Sequence, residues 1–311
     1  MPYAIIDLGT NTFQLLIVER TDGGFCTLHE ESRAAKIGKG GISDGRITGK
    51  AIERALTVLT AFRVLTDAHG IPPEQVRPVA TSAVRNARNG AEFVQRVREA
   101  TDFRVEVIDG AEEAGLIYEG VRLGTPLTNT VSLIMDIGGG SVEFILCNQA
   151  RIFWKQSFEI GGQRLMDRFM AEDPIAPVQV GRLHDYLAEQ LLPLTNAIHQ
   201  YAPTELIGSA GSFETLVDLS FWRRFGHAAP SDWISEPLPL DDFYRSRELL
   251  LSLPRAERLT MPGMIELRVD MIVVGVCLID FVLKAYRLDH IRVSTYALKE
   301  GVLAKLLKNE F

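Results

Sequence analysis

The stretch Ile5-Ile6-Asp7-Leu8-Gly9-Thr10-Asn11-Thr12-Phe13-Gln14-Leu15-Leu16-Ile17 recurs in outline as Ile134-Met135-Asp136-Ile137-Gly138-Gly139-Gly140-Ser141-Val142-Glu143-Phe144-Ile145-Leu146, at an offset of 129 residues. Each copy reads as an apolar strand ending in aspartate, a turn of glycine and small polar residues, and a second apolar strand. The pattern predicts a β-hairpin with a functional tip, built twice in one chain. Glycine lets backbone N–H groups come close to an anion, and Thr10, Thr12 and Ser141 add hydroxyl donors. Gly9, Thr10, Asn11 and Thr12 in one copy, and Gly138, Gly139, Gly140 and Ser141 in the other, are therefore candidate phosphate-binding residues. An aspartate at the strand end offers a hard oxygen ligand suited to Mg²⁺ held together with substrate phosphates, so Asp7 and Asp136 are candidate metal anchors. Asp-Gly is also ordinary turn punctuation. Matched spacing and matched apolar positions in two copies favour the functional reading.

At 311 residues and 46% hydrophobic, the chain can bury substantial cores, and its length suggests about two domains. No stretch reaches the roughly 20 apolar residues of a membrane span; the longest, Met271 to Leu283, is interrupted by Asp280. No basic segment followed by an apolar one opens the chain, so a cytoplasmic protein is expected, with no membrane partner. Cys26, Cys147 and Cys277 are odd in number and widely spaced, which predicts reduced, buried thiols. A formal charge of −7 argues against nucleic acid as a partner. Any polyanion must then be held locally, with Lys36, Lys39, Arg85, Arg164, Arg168, Arg223, Arg224, Arg245 and Arg247 as the candidate cations. The chain is compatible with a homodimer.

Periodicity predicts two α/β halves. The first hairpin is followed by a third strand near Phe25 to Lys36, and Thr48 caps a helix carrying Ile52, Leu56, Leu59, Phe62 and Leu65. A buried strand at Val76 to Ala80 leads into a loop, a helix around Ala91 to Ala100, a strand at Val105 to Ile108, and a helix from about Ala111 to Leu123. Gly124-Thr125-Pro126 marks the expected junction, giving domains 1–125, completed by a C-terminal helix at 297–311, and 126–296. The second half opens with strands at Val131 to Asp136, Val142 to Asn148 and Ile152 to Ile160. Helices around Gln163 to Met170 and Pro177 to His199 follow, then a strand at Glu205 to Gly208. Trp222 to Pro239 reads as an irregular excursion. Gly208-Ser209-Ala210-Gly211-Ser212 leaves a strand and opens a helix, so Gly208, Ala210, Gly211 and Ser212 form a third candidate anion site at a helix N-terminus. Two halves that each present a phosphate hairpin imply an active-site cleft between them.

Together these segments resemble the exopolyphosphatase and guanosine pentaphosphate phosphohydrolase (Ppx/GppA) family, within the actin-like ATPase superfamily. The resemblance rests on Asp7 to Phe13, Lys36 to Gly40, Ala80-Thr81-Ser82-Ala83-Val84-Arg85, Gly110-Ala111-Glu112-Glu113-Ala114, Asp136 to Ser141, Gly208 to Ser212, and Ser294 to Gly301. It implies two ribonuclease H-like domains, each a mixed five-stranded sheet flanked by helices. It also implies Mg²⁺-assisted hydrolysis of a terminal phosphoanhydride, on inorganic polyphosphate or guanosine pentaphosphate. The family's catalytic base maps to Glu113, the second glutamate of its motif. An acid in a first helical turn is equally what the helix dipole favours, so the residues alone do not decide this role. Arg85 matches an arginine that faces the phosphates, where a guanidinium stabilises transferred charge. Glu143 matches an acid near the metal; its counterpart in the first hairpin is Gln14, so the second hairpin is expected to carry more of the metal work. Longer family members add a C-terminal helical domain for which this chain has no room.

His184-Asp185 and Asp289-His290 lack further ligands at useful spacing and read as structural. Two other classes fit the superfamily: a small-molecule kinase, and a nucleotide-switched interaction protein of the actin or chaperone kind.

Overall fold

The computed structural model describes residues 2–21 and 24–308. The chain forms two compact units, one made of residues through Gly120 together with those from Leu298 on, the other of Val121–Ala297.

In the first unit, β1 (Pro2–Leu8), β2 (Thr12–Thr21) and β3 (Gly24–Ala34) form an antiparallel meander. Alternation of apolar side chains, with Ile6, Leu8, Phe13, Leu15 and Ile17 buried, fixes its register against the core. Helix α1 (Gly49–Ala68) then crosses over, with the Thr48 hydroxyl accepting the Ala51 N–H at 3.3 Å. Strand β4 (Val76–Ala80) lies parallel to β1. After it come α2 (Ser82–Arg85), α3 (Gly90–Thr101), the two-residue β5 (Glu106–Val107) parallel to β4, and α4 (Gly110–Gly124). The sheet order is β3-β2-β1-β4-β5. Where a loop was expected after Ala80, the chain turns one helical turn, α2, which carries Arg85.

The second unit repeats this topology. Strands β6 (Ser132–Ile137), β7 (Val142–Cys147) and β8 (Ile152–Phe158) form the meander. Helices α5 (Gly162–Phe169), α6 (Pro177–Gln190) and α7 (Leu192–Tyr201) precede β9 (Glu205–Ser209), which is parallel to β6. Next come α8 (Gly211–Phe225), β10 (Ser235–Pro237), α9 (Leu240–Ser252), α10 (Arg255–Arg258), α11 (Met271–Tyr286) and β11 (Ile291–Ser294). The order β8-β7-β6-β9-β11-β10 adds a sixth, antiparallel edge strand to the expected five. Helix α12 (Leu298–Leu307) closes the first unit. Gly301 lets it approach so closely that a Cβ there would lie 1.9 Å from the Leu116 carbonyl oxygen, and Lys305 reaches Glu112 at 3.3 Å.

Three expectations need correction. The helix expected from Pro177 to His199 is two, because Pro193 sits in the first turn of α7 and cannot continue α6. Trp222 to Phe225 is not loop but the end of α8, stopped by Gly226 at φ 75° in the left-handed region. Cys26 is exposed on the outer strand β3, whereas Cys147 and Cys277 are buried.

Helix α11 is buried along almost its whole length. Its one charged core residue, Asp280, is fully buried and held by Lys284 at 2.8 Å and Arg247 at 3.0 Å. Among the described residues no helix is long and apolar enough to cross a membrane.

Candidate active site

The two hairpin tips share one backbone design. Asp7 pairs with Gln14 across β1 and β2, and Asp136 with Glu143 across β6 and β7. A Cβ on Gly9 would lie 2.8 Å from the Thr12 carbonyl oxygen, and one on Gly138 3.0 Å from that of Ser141. In the first tip the Thr10 carbonyl accepts the Gly38 N–H at 3.1 Å, and the Asn11 carbonyl accepts Ala35 and Lys36 at 3.0 and 2.8 Å. In the second, the carbonyls of Gly138, Gly139 and Gly140 accept the N–H groups of Gly162, Gln163 and Gly161 at 2.9, 2.8 and 3.2 Å. A trans peptide points its C=O and N–H in opposite directions. Tying back the carbonyls therefore turns the N–H groups of Gly139, Gly140 and Ser141, and of Asn11 and Thr12, the other way. Such a row of outward N–H groups is an anion cradle. Thr12 also buries a hydroxyl that has no hydrogen-bond partner among the described residues.

Asp136 and Glu143 are opposite residues of one antiparallel pair, so their side chains leave the same face of the hairpin. Both are buried. Ser209 donates to the Asp136 carboxylate at 2.7 Å, and Ser157 to that of Glu143 at 2.7 Å. Two neighbouring buried carboxylates suit Mg²⁺, which takes one or two from the protein and the rest from water and phosphate oxygens. Among the described residues, no group of three or more His, Cys, Asp or Glu could cage a metal unaided. In the first unit Asp7 is half-buried and faces Gln14, so that hairpin offers one carboxylate rather than two.

The third loop runs from β9 into α8. Ala210 adopts φ 68°, ψ 170°, a conformation nearly reserved for glycine, and strain of this kind concentrates at functional loops. Its carbonyl accepts from Phe213 and Glu214, which leaves the first-turn N–H groups of Gly211 and Ser212 without partners inside the helix. A Cβ on Gly211 would fall 1.9 Å from the Arg268 guanidinium carbon, so that arginine lies flat against the loop. Burial lowers the Arg268 pKa, while the carboxylates of Glu214 and Asp136 counteract this by favouring its charged form. Arg268 was not picked out from the sequence. It lies 57 residues beyond Gly211, with no local motif around it, and only the packing of the turn that leads into α11 brings it to the loop.

In the first unit, Asp109 caps α4, its carboxylate accepting the N–H groups of Ala111 and Glu112 at 2.9 and 2.8 Å. One turn in, Glu113 is buried and receives Arg85 Nη1 at 2.7 Å. The same nitrogen donates to the Ile108 carbonyl at 3.1 Å. Glu112 points instead to Lys305 of α12. Thus the two expected catalytic residues meet, and the neighbouring glutamate is engaged elsewhere.

A duplicated glycine hairpin, an acidic pair and a separate buried glutamate accompany a sequence comparison in which residues 16–310 match the Ppx/GppA phosphatase family. The chain belongs to that family. Similar solved structures include an exopolyphosphatase from Cytophaga hutchinsonii, 47% identical over 99% of this chain and 98% of that one, with a TM-score of 0.95. The Ppx/GppA family member of Aquifex aeolicus is 25% identical over 100% of this chain and 98% of that one, at a TM-score of 0.80. This family member is accordingly a phosphoanhydride hydrolase with the fold of those solved structures.

Four of the other candidate cations are engaged elsewhere. Arg223 and Arg224 pair with Asp242, Arg247 with Asp280, and Arg168 lies 4.1 Å over the Tyr186 ring. His184 accompanies Asp280 at 3.9 Å and lies 3.2 Å from the Cys277 carbonyl, while Asp289 and His290 form an exposed pair.

Proposed function

We propose that this phosphatase releases terminal phosphate from inorganic polyphosphate, using Mg²⁺ and a water molecule activated by Glu113. The observation that carries the reading is the buried Asp136 and Glu143 pair beside a loop whose carbonyls are tied back. Polyphosphate is favoured over guanosine pentaphosphate by the full-length likeness to the Cytophaga exopolyphosphatase.

Asp136 and Glu143 would hold Mg²⁺ in the second unit, and Asp7 is the candidate metal anchor of the first hairpin. When bound, the metal supplies charge neutralisation on the phosphate oxygens. In the second unit the N–H groups of Gly139, Gly140 and Ser141 and the α8 N-terminus at Gly211 and Ser212 bind phosphate, and in the first unit those at Asn11 and Thr12 offer a like cradle. Arg268 packs against the loop at Gly211. Glu113 accepts a proton from the attacking water, and Arg85 keeps the carboxylate ionised and oriented while its guanidinium offers positive charge to the transferred phosphoryl.

Phosphate release measured in parallel on polyphosphates of several lengths, guanosine pentaphosphate and ATP, with and without Mg²⁺, tests the reading. Mg²⁺-dependent release from polyphosphate is expected. Release from guanosine pentaphosphate alone would transfer the substrate assignment to the nucleotide, and release equally fast in chelator would remove the metal from the account.

A further inference from the structure

The second phosphate loop is held from behind by more than backbone. Arg164, on the first turns of α5, donates Nε to the Gly140 carbonyl at 2.9 Å, and its Nη2 meets Glu159 at 2.9 Å. Gly140 O already accepts the Gly161 N–H at 3.2 Å, so one carbonyl takes two donors, one of them charged. Charge-assisted bonds are the stronger kind. The peptide so fixed is the one whose other end is the Ser141 N–H. The basic residues of this chain invite the reading that Arg164 grips the substrate polyanion, yet its guanidinium is spent on the rear of the loop.

We infer that Arg164 is a positioning residue for phosphate transfer: it acts through the Gly140 carbonyl, locking the Gly140–Ser141 peptide so that its N–H faces the phosphate. The assignment rests on the phosphohydrolase reading of this loop. Glu159 steadies the guanidinium from a partly exposed position, and Gly161 supplies the second donor. The same strategy occurs in the first unit, where Arg54 donates to the carbonyls of Ala35 and Lys36 at 3.3 and 2.8 Å, the residues whose N–H groups tie back Asn11. A lock of this kind is independent of how many phosphates the substrate carries.

The test compares Arg164→Met, Arg164→Lys and Glu159→Gln in the full chain, with tripolyphosphate and a long polyphosphate as substrates. Removing a group that holds a functional residue from behind costs roughly 10-fold to 100-fold. We expect Arg164→Met to lose that factor in kcat/KM, mostly in kcat and equally on both substrates, with its thermal midpoint retained. Arg164→Lys, which can still donate to Gly140 O, recovers part of it, and Glu159→Gln is near normal. The amide resonances of Gly139, Gly140 and Ser141 shift in Arg164→Met and return in Arg164→Lys. A loss confined to long chains, or growing with falling salt, overturns the inference by making Arg164 a direct substrate ligand. Unchanged kcat with unchanged amide resonances overturns it as well. If the unaltered protein hydrolyses neither substrate, the polyphosphate reading fails, and the amide resonances still decide whether Arg164 locks the loop.

Discussion

Gly161→Ala isolates the close approach on which the second loop depends. Gly161 has φ −61° and ψ 160°, angles that alanine adopts freely, so the substitution adds no backbone strain. Its Cβ, however, would lie 2.4 Å from the Gly140 carbonyl carbon and 2.5 Å from Gly139 C and Gly140 N. All three are backbone atoms, so no side chain can swing away. Carbon atoms sit comfortably at about 3.5 Å or more, and the loop must therefore retreat by about 1 Å. Overpacking costs about 1–3 kcal/mol, and restricting the unfolded chain returns about 0.4–1 kcal/mol, leaving a net loss of at most about 2.6 kcal/mol. That loss lowers stability, whereas a 1 Å misplacement of reacting groups costs about 100-fold in rate, about 2.7 kcal/mol of barrier. Denaturant unfolding gives the first quantity, and kcat/KM for polyphosphate the second. Gly181→Ala is the control: Gly181 lies in α6 with nothing within 4 Å of its would-be Cβ, and the change should leave turnover alone while stabilising by about 0.5–1 kcal/mol. A Gly161→Ala protein that is folded and fully active would refute the reasoning.

Three further outcomes follow from particular residues. Ala210→Gly removes a positive-φ strain of order 1–3 kcal/mol but adds glycine's flexibility in the unfolded chain, so a net gain of about 1 kcal/mol is expected in denaturant unfolding. In the native protein a thiol reagent should modify Cys26 alone; burial pushes the Cys147 and Cys277 thiols up to about 12, and both should react only once the chain unfolds. Burial lowers the His184 pKa below its unfolded value of about 6.5, so the unfolded chain binds the proton more readily and stability falls as the pH drops below that value. Replacing His184 by Gln should flatten stability between roughly pH 5 and 6.5, as read from unfolding midpoints at each pH.

Much of the site was legible in the sequence because it is local. The spacing that separates Asp7 from Gln14 and Asp136 from Glu143 is a hairpin register, which the short turn of each hairpin fixes. Thr48 announces α1 through its cap, and Asp109 and Gly110 announce the turn that presents Glu113. The Pro193 break between α6 and α7 was also written locally, in a proline at a first helical turn, but a continuous apolar pattern masked it. What the sequence withheld is tertiary. Arg268 reaches Gly211 only through the packing of the turn that leads into α11, and Arg164 was recognisable as a cation but not as a donor to Gly140, because its target is a backbone atom 24 residues away. Strand β10 is three residues long and exists because β11 offers an edge.

The most direct test of the account is terminal phosphate release from polyphosphate in ¹⁸O-enriched water, for the unaltered chain and for Glu113→Gln. Attack by water predicts one solvent-derived ¹⁸O in each phosphate released, and a fall of about 10²–10⁴ in rate when Glu113 can no longer take the proton, with the fold intact. Phosphate released without solvent oxygen, or a Glu113→Gln protein that turns over at the full rate, would contradict it.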